Sequence, residues 1–197
     1  DDLSDPFLMP DIQKGAERLI TAIIKREGIC LYGDYDADGI TSTALSVNYL
    51  KYFESRPEIV IPKREDGYGL NIDAVKKISA KGIKLLICVD CGSSDVDEID
   101  LANSLGLDVV VIDHHELPQK LPKAYALINP KRKDSRFPEK ELAACGVTFF
   151  FLWALRRIMH NNGLLKVKIN LKRELDIVAL GTMADMVPLT GDNRILV

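Results

Sequence analysis

The chain has 197 residues, of which 47% are hydrophobic, so it can bury one sizeable core and we expect one domain. Its formal net charge of -3 excludes the overall positive field of many nucleic-acid binders, so any contact with a polyanion must come from local patches. The longest apolar run, Val147 to Leu155, is much shorter than the roughly 20 residues that span a bilayer.

The predicted elements alternate between strands and helices over the first two thirds of the chain. An amphipathic helix from Ile12 to Lys25 comes first, because its apolar residues recur at helical spacing. Five β-rich runs follow, at Ile29 to Tyr32, Glu58 to Pro62, Lys84 to Val89, Asp108 to Ile112 and Ala126 to Ile128. Helical patterns separate the first four runs, at Ile40 to Tyr52, Ile72 to Ala80 and Val96 to Leu105. This alternation predicts an α/β fold, with a doubly wound, mainly parallel five-stranded sheet and flanking helices.

Beyond Pro130 the pattern becomes helical. A charged stretch leads into two long helical patterns, Leu142 to His160 and Leu171 to Met183. We therefore divide the predicted domain, residues 1–197, into a sheet core over residues 1–130 and a helical C-terminal part over residues 131–197. The aromatic run Phe149 to Phe151 and Trp153 has helical spacing, so we expect core residues there and not a strip that binds nucleobases.

The cysteines are predicted to be reduced, structural residues. Cys88 and Cys91 form a CxxC pair, but the sequence has no second pair to complete a zinc site. Cys88 lies inside a strand-like run, and a strand would point Cys88 and Cys91 to opposite faces.

Acidic and histidine side chains follow three of the predicted strands. They are Asp34, Asp36 and Asp38 after the first strand, Asp90 after the third, and Asp113, His114 and His115 after the fourth. Because loops at the carboxyl ends of parallel strands face the same crevice, we expect these side chains to meet at one edge of the sheet. A single Asp after a strand can be a helix cap, but capping requires neither three alternating acids nor two adjacent histidines.

Such a cluster needs cations. Two carboxylates about 5 Å apart repel by roughly 3 kcal/mol at an effective dielectric constant of about 20. Oxygen ligands with imidazole and no thiolate favour Mn²⁺ or Mg²⁺, and a pair of such ions can hold a phosphoryl group and activate water.

An EF-hand starting at Asp34 is excluded, because Leu45 stands where that loop needs Glu. We expect Mn²⁺ to raise the melting temperature and Asp38→Ala to leave the metal-free protein at least as stable.

Four motifs carry a family resemblance. GDYDADGITS (33–42), VDCGSS (89–94), IDHHE (112–116) and TMADMVPL (182–189) resemble those of the DHH phosphoesterase superfamily. The stretches IPKREDGYGLN, LPKAYALINPKR and LAACGVTFF narrow the resemblance to the RecJ family of single-strand-specific exonucleases, over essentially the whole chain. Ser93 and Ser94 stand where RecJ proteins more often have an apolar residue, which favours helix capping by these serines.

The resemblance implies two metal ions that share one bridging carboxylate. It implies that Asp90 is the bridge and that Asp36 belongs to the first ion. The ligands implied for the second ion are Asp38, His114 and Asp185. Asp34 would complete or orient the shell of the first ion, or only brace its loop. Asp185 enters through the resemblance alone, because it follows a helical pattern and not a strand.

The resemblance implies supporting roles for two further residues. Asp113 would orient a histidine from outside the ligand shell. His115 would lie beside the second ion and contact the substrate phosphate. The implied catalytic set is Asp36, Asp38, Asp90, His114, His115 and Asp185.

The implied activity is metal-dependent hydrolysis of phosphodiesters by a single-stranded-DNA-specific exonuclease, acting 5′ to 3′ in DNA repair and recombination. One alternative is another DHH phosphoesterase that acts on short oligonucleotides, cyclic dinucleotides or pyrophosphate. A non-catalytic binding module is a second alternative, although every implied ligand is present. The further C-terminal domains of the family are absent up to Val197, so we expect a catalytic core that binds DNA weakly.

Candidate substrate contacts lie beside the acidic motifs. Lys63, Arg64 and Tyr68 follow the second strand, where cations can meet phosphates and an aromatic ring can stack on a base, although Tyr68 could instead anchor its loop. Arg132 belongs to a second basic cluster that could equally be a solvated surface. The expected partners are single-stranded DNA and single-strand-binding protein. No N-terminal stretch resembles a signal peptide, so we expect a cytoplasmic monomer with no membrane contact.

Overall fold

One parallel sheet forms the centre of the molecule. The computed structural model describes residues 2–197, and Asp1 of the predicted domain lies outside them. The strands are β1 (Gly28–Gly33), β2 (Glu58–Val60), β3 (Ile83–Val89), β4 (Asp108–Ile112) and β5 (Ala126–Ile128). They lie in the order β2-β1-β3-β4-β5, and each neighbouring pair is parallel. The predicted five-stranded, doubly wound sheet is confirmed, and its strands are all parallel.

Helices cover both faces of this sheet. In chain order they are α1 (Ile12–Lys25), α2 (Ala37–Lys51), α3 (Ile72–Ala80), α4 (Val96–Ser104), α5 (Ala144–Asn161), α6 (Leu175–Ala184) and α7 (Gly191–Leu196), with 3₁₀ turns at Pro6–Leu8, Arg64–Asp66 and Leu171–Glu174. Strand residues alternate between two cores: Leu31 packs with α1, α2 and α5, whereas Cys30 and Tyr32 pack with α3 and α4. This two-sided burial explains the almost continuous apolar runs of the strands.

Local chemistry shifts two of the predicted boundaries. Helix α2 begins three residues before the predicted Ile40, because the Asp36 side chain caps it by accepting the Gly39 N–H at 2.9 Å. Asp38 therefore lies within the first turn of α2. The predicted helix from Leu171 to Met183 is divided into a 3₁₀ turn and α6, and α7 was not predicted, because its first residues, Gly191 to Asn193, are typical of turns.

Helix α5 supplies the aromatic part of the larger core. Phe149, Phe150 and Phe151 are buried, and Trp153 packs against them while half-buried, so the prediction that this run is core is confirmed. Among residues 2–197, no helix is both long and apolar enough to cross a membrane.

The expected geometry of the CxxC pair is wrong. Cys88 and Cys91 are both fully buried in the same core, on the α3 and α4 side of the sheet. The strand ends at Val89, and Asp90 and Gly92 then adopt positive φ angles of 62° and 107°, which turn Cys91 back to the side of Cys88. The prediction assumed that the strand continued through Cys91.

Candidate metal centre

The register of the sheet sets the geometry of the site. Gly33 of β1 pairs with Val89 of β3, and Val89 pairs with Ile112 of β4. The next residue on each strand is an aspartate, so Asp34, Asp90 and Asp113 emerge side by side at the carboxyl edge. The predicted convergence of these segments is therefore observed.

A first group of possible ligands consists of Asp34, Asp36 and Asp90. One carboxylate oxygen from each lies within 4.8 Å of the others. Asp34 is 3% exposed, and burial raises the pKa of its carboxyl group. Gly39 allows this arrangement, because a Cβ there would lie 2.6 Å from the Asp34 carbonyl oxygen. The motif glycine thus lets α2 start close to the acidic loop.

A second group consists of Asp38, His114 and Asp185, again with ligand atoms within 4.8 Å. His114 Nε2 lies 3.9 Å from Asp38 Oδ2, and His114 Nδ1 lies 3.8 Å from Asp185 Oδ2. Burial raises the pKa of the Asp38 and Asp185 carboxyl groups. At Asp38 the hydrogen bond from the Cys145 N–H and the nearby His114 lower the pKa and so oppose part of this effect. The structure therefore brings the C-terminal Asp185 to the sheet edge.

Asp90 belongs to the first group and also approaches His114 of the second. Its Oδ1 is 3.3 Å from His114 Nε2, and it also forms a possible ligand group with His114 and His115. Burial, followed by the charges of Asp38 and Asp36, raises the pKa of Asp90 to about 10. Neither Asp90 oxygen has a hydrogen-bond partner among the described residues, and the same holds for His114 Nε2 and for Asp34 Oδ1. Buried, unpaired ligand atoms of this kind fit divalent cations such as Mn²⁺ or Mg²⁺.

Asp113 does not face this cluster but holds the second histidine. Its Oδ1 accepts hydrogen bonds from the His114 backbone N–H at 2.8 Å and from His115 Nδ1 at 2.7 Å, and its Oδ2 accepts the Ser93 N–H at 3.0 Å. Burial opposes the charge of Asp113, but the hydrogen bonds of His115 and Ser93 outweigh it and lower its pKa to about 2. The same hydrogen bond raises the pKa of His115.

A family comparison agrees with this geometry. The family model described as "DHH family, N-terminal domain" matches residues 28–182, which include β1 to β5 and most of α6. The chain belongs to the DHH family. The superfamily resemblance predicted from the four motifs is thereby confirmed.

RecJ exonucleases are among the proteins similar to this chain. The single-stranded-DNA-specific exonuclease RecJ of Bacillus subtilis (strain 168) is 40% identical over 196 residues, which are 99% of this chain and 24% of that protein. RecJ of Escherichia coli (strain K12) is 43% identical over 191 residues, 94% of this chain and 33% of that protein. The chain thus spans about a quarter to a third of these relatives. A crystal structure of exonuclease RecJ bound to manganese has a TM-score of 0.83 and 31% identity, over 95% of this chain and 46% of that one.

Two polar residues of this DHH domain support the site without having been predicted to do so. Asn129 is fully buried, and its Nδ2 donates to the His115 carbonyl at 2.9 Å and to Ser93 Oγ at 3.1 Å. It directly follows β5, so the strand-end rule could have found it. The expected capping by Ser93 or Ser94 is wrong, because Asp95 occupies the N-cap position of α4 and buried Ser93 binds Asn129 and Asp113 instead.

Tyr68 lies against the DHH motif itself. Its hydroxyl donates to the Asp90 carbonyl at 2.9 Å and lies 2.9 Å from His115 Nδ1. The ring remains 52% exposed and packs edge-on to the His115 ring. Both sequence-based interpretations of Tyr68 therefore stay open, because its hydroxyl anchors the loop while its ring is available to a base.

The predicted cationic contacts have different surroundings. Lys63 is exposed and forms an ion pair with Glu65 at 3.3 Å, while the Arg64 guanidinium lies 5.1 Å from the Tyr35 ring, within the acidic motif. The Arg132 side chain, in contrast, is only 15% exposed.

Arg132 makes contacts within the fold. Its NH1 donates to Asp11 Oδ2 at 2.6 Å and to the Leu127 carbonyl at 2.8 Å, and its NH2 binds Asp134 at 2.7 Å. Within residues 2–197 none of its described contacts reaches the acidic cluster. The charge of Arg132 joins the start of α1 to β5, and its contact with substrate stays a prediction.

Proposed function

We propose that residues 1–197 form the catalytic DHH domain of a single-stranded-DNA-specific exonuclease, with a sheet core over residues 1–130 and a helical part over residues 131–197. The main support is Asp90, whose buried oxygens have no hydrogen-bond partner among the described residues and which belongs to one possible ligand group with Asp34 and Asp36 and to another with His114. The similarity to RecJ proteins supports the choice of substrate class.

The proposed ligands follow these two groups. Asp34 and Asp36 would hold the first divalent cation, and Asp90 would be shared with the second. The remaining ligands of the second cation would be Asp38, His114 and Asp185. When bound, the two cations would supply Lewis acidity, which would offset charge on the reacting phosphodiester and lower the pKa of water, so that hydroxide is available as the nucleophile.

The chain's own side chains would orient the substrate. His115 is held by Asp113 at its Nδ1, and its raised pKa favours the cationic ring, which can donate a charge-assisted hydrogen bond to phosphate. Arg64 and Lys63 lie on the loop after β2 and would bind neighbouring phosphates, while the exposed ring of Tyr68 would stack on a base.

The proposed biological setting rests on the resemblance of the sequence motifs to the RecJ family. We propose 5′-to-3′ degradation of single strands in DNA repair and recombination, by a cytoplasmic monomer that cooperates with single-strand-binding protein. Because the relatives are three to four times longer than the matched region, this domain alone should bind DNA weakly. Its activity should therefore be measured at high substrate concentration and low salt.

Hydrolysis of end-labelled oligonucleotides tests this proposal. With Mn²⁺, a 5′-labelled single strand should release its label as the first product, while the matched duplex and a 3′-labelled strand should not. Asp90→Asn should abolish the reaction, because it removes the shared ligand without changing the side-chain shape.

The competing substrates can be tested in the same assay. Cyclic dinucleotides, pyrophosphate and RNA of a few nucleotides are the substrates of the alternative DHH function. Faster hydrolysis of any of these than of single-stranded DNA would contradict the exonuclease proposal while leaving the metal centre intact. Absence of Mn²⁺-dependent hydrolysis of every substrate would instead indicate a binding module.

A further inference from the structure

The carboxylate of Asp38 is bound to the main chain of a distant helix. Its Oδ2 accepts the N–H of Ala144 at 2.6 Å, and its Oδ1 accepts the N–H of Cys145 at 2.8 Å. Ala144 and Cys145 are the first two residues of α5, more than 100 positions further along the chain. Asp38 is 1% exposed, so solvent does not compete with these bonds.

Helix α5 has no cap of its own. Ala143 occupies the N-cap position and offers no side-chain acceptor. The first N–H groups of an α-helix lack partners within the helix, and its N-terminus attracts negative charge. Asp38 therefore acts as the missing cap of α5, and the two bonds together fix the plane of its carboxylate.

The surrounding structure leaves this carboxylate little freedom. At Gly181 of α6, a Cβ would lie 3.1 Å from Asp38 Oδ1 and 2.7 Å from Cys145 Sγ. Helix α6 thus approaches the same point as the start of α5. The arrangement contrasts with that of Asp90, whose two oxygens have no hydrogen-bond partner among the described residues.

We propose that the first turn of α5 positions Asp38 as a metal ligand, so that the backbone N–H groups of Ala144 and Cys145 are positioning groups for the second ion. Each carboxylate oxygen can accept two bonds, and α5 takes one on each. One Asp38 carboxylate oxygen lies within 4.8 Å of ligand atoms of His114 and Asp185. This inference rests on the proposed function, because it takes Asp38 to be a ligand.

The first test compares two isosteric substitutions without metal. Asp90→Asn should raise the unfolding midpoint in a chelator, because it removes a buried carboxyl group that can ionise freely only in the unfolded chain. Asp38→Asn should lower the midpoint, because its amide NH₂ must face one of the two α5 N–H groups. If Asp38→Asn stabilises the metal-free protein as Asp90→Asn does, the contact with α5 does not hold Asp38 and the inference is wrong.

The second test removes one donor and keeps the shape. Lactic acid, introduced at position 144 by nonsense suppression, replaces the Ala144 amide with an ester and deletes its N–H. Titration with Mn²⁺, followed by electron paramagnetic resonance, should show one ion bound about 10- to 100-fold more weakly. The other ion should retain its affinity, which a general loss of structure would not produce. The hydroxy-acid analogue of Ile72, the first residue of α3, is the matched control and should leave both affinities unchanged.

The outcomes separate this inference from the proposed function. If Asp38→Asn leaves both Mn²⁺ affinities unchanged, the proposed ligand set is wrong. If Asp38→Asn weakens one ion but the ester at position 144 weakens neither, only the role of α5 is wrong. Should the ester protein not fold, the opposite stability effects of Asp38→Asn and Asp90→Asn decide the question.

Discussion

His115 Nδ1 and Asp113 Oδ1 lie 2.7 Å apart, so one buried carboxylate fixes both the orientation and the charge of the second histidine in the DHH motif. The same oxygen also accepts the His114 N–H, which ties the carboxylate to its own loop. Asp113 thus acts on the site through His115.

Asp113→Asn should lower kcat/KM on the order of 10- to 100-fold, the equivalent of one charge-assisted hydrogen bond. The pKa of His115 should fall, because the carboxylate that raises it is gone, so the alkaline limb of the pH–rate profile should move to lower pH. Nuclear magnetic resonance titration of His115 would measure the shift directly.

Asp108→Asn, at the opposite end of β4, is the control. Its carboxylate binds Arg18 at 2.6 Å, so its loss should reduce stability without moving the pH profile. An unchanged His115 pKa in Asp113→Asn would contradict the assigned role.

The metal-free protein should lose stability as the pH rises from about 6 to 9. The pKa of Asp90 is about 10 in the folded chain, against an ordinary value of 3.8, so the folded state binds a proton that the unfolded state releases. The stabilisation is complete below pH 4 and is lost as the pH rises towards 10. One such group contributes a slope of up to about 1.4 kcal/mol per pH unit.

Urea unfolding in a chelator, at several pH values, would measure this slope. Asp90→Asn should flatten it, because an amide does not titrate, and asparagine also tolerates the positive φ of 62° at this position. Equal slopes in both proteins would show that Asp90 is not the titrating group.

Mn²⁺ should raise the melting temperature of the wild-type protein. Free Mn²⁺ at 100 times Kd stabilises a folded protein by about 2.7 kcal/mol, which is roughly 5 to 10 °C for a domain of this size. Differential scanning calorimetry with and without a chelator measures the effect. Asp90→Asn should abolish most of the increase, and an undiminished increase in that variant would place the binding elsewhere.

Arg132→Met should reduce stability and leave catalysis intact. The guanidinium is 15% exposed and binds Asp11, Asp134 and the Leu127 carbonyl, so its loss should cost about 1–3 kcal/mol of unfolding free energy. Arg64→Met, on the loop after β2, is the matched variant for comparison. It should weaken the binding of single-stranded DNA and reduce the salt dependence of that binding. A similar loss of DNA affinity in Arg132→Met would instead support the predicted contact of Arg132 with substrate.

The sequence alone predicted the features that depend only on the order of strands and helices along the chain. Strand ends in a parallel sheet share one edge, so Asp34, Asp90 and Asp113 could be placed together from the alternation of elements alone. The same rule covers Asn129, which follows β5, but a neutral amide does not by itself indicate a metal centre.

Long-range packing could not be predicted in this way. Asp185 follows a helix, and only the motif resemblance indicated that it belongs to the site. The bonds from Asp38 to Ala144 and Cys145 depend on where α5 begins relative to α2. They also reverse the expectation for Asp38→Ala, which should destabilise the metal-free protein because it leaves two helix N–H groups without an acceptor. The prediction that Cys88 and Cys91 point to opposite faces was wrong for a related reason, because their positions depend on the left-handed backbone at Asp90.

Strands β1, β3 and β4 end in register, which matters for the design of similar sites in other proteins. Neighbouring strands lie about 4.8 Å apart, so the lateral distance between the three aspartates is inherited from backbone hydrogen bonding and not from side-chain packing. Unrelated parallel sheets have the same strand spacing. Acidic residues placed one position beyond three adjacent strands of such a sheet would therefore have a similar lateral distance between their backbones.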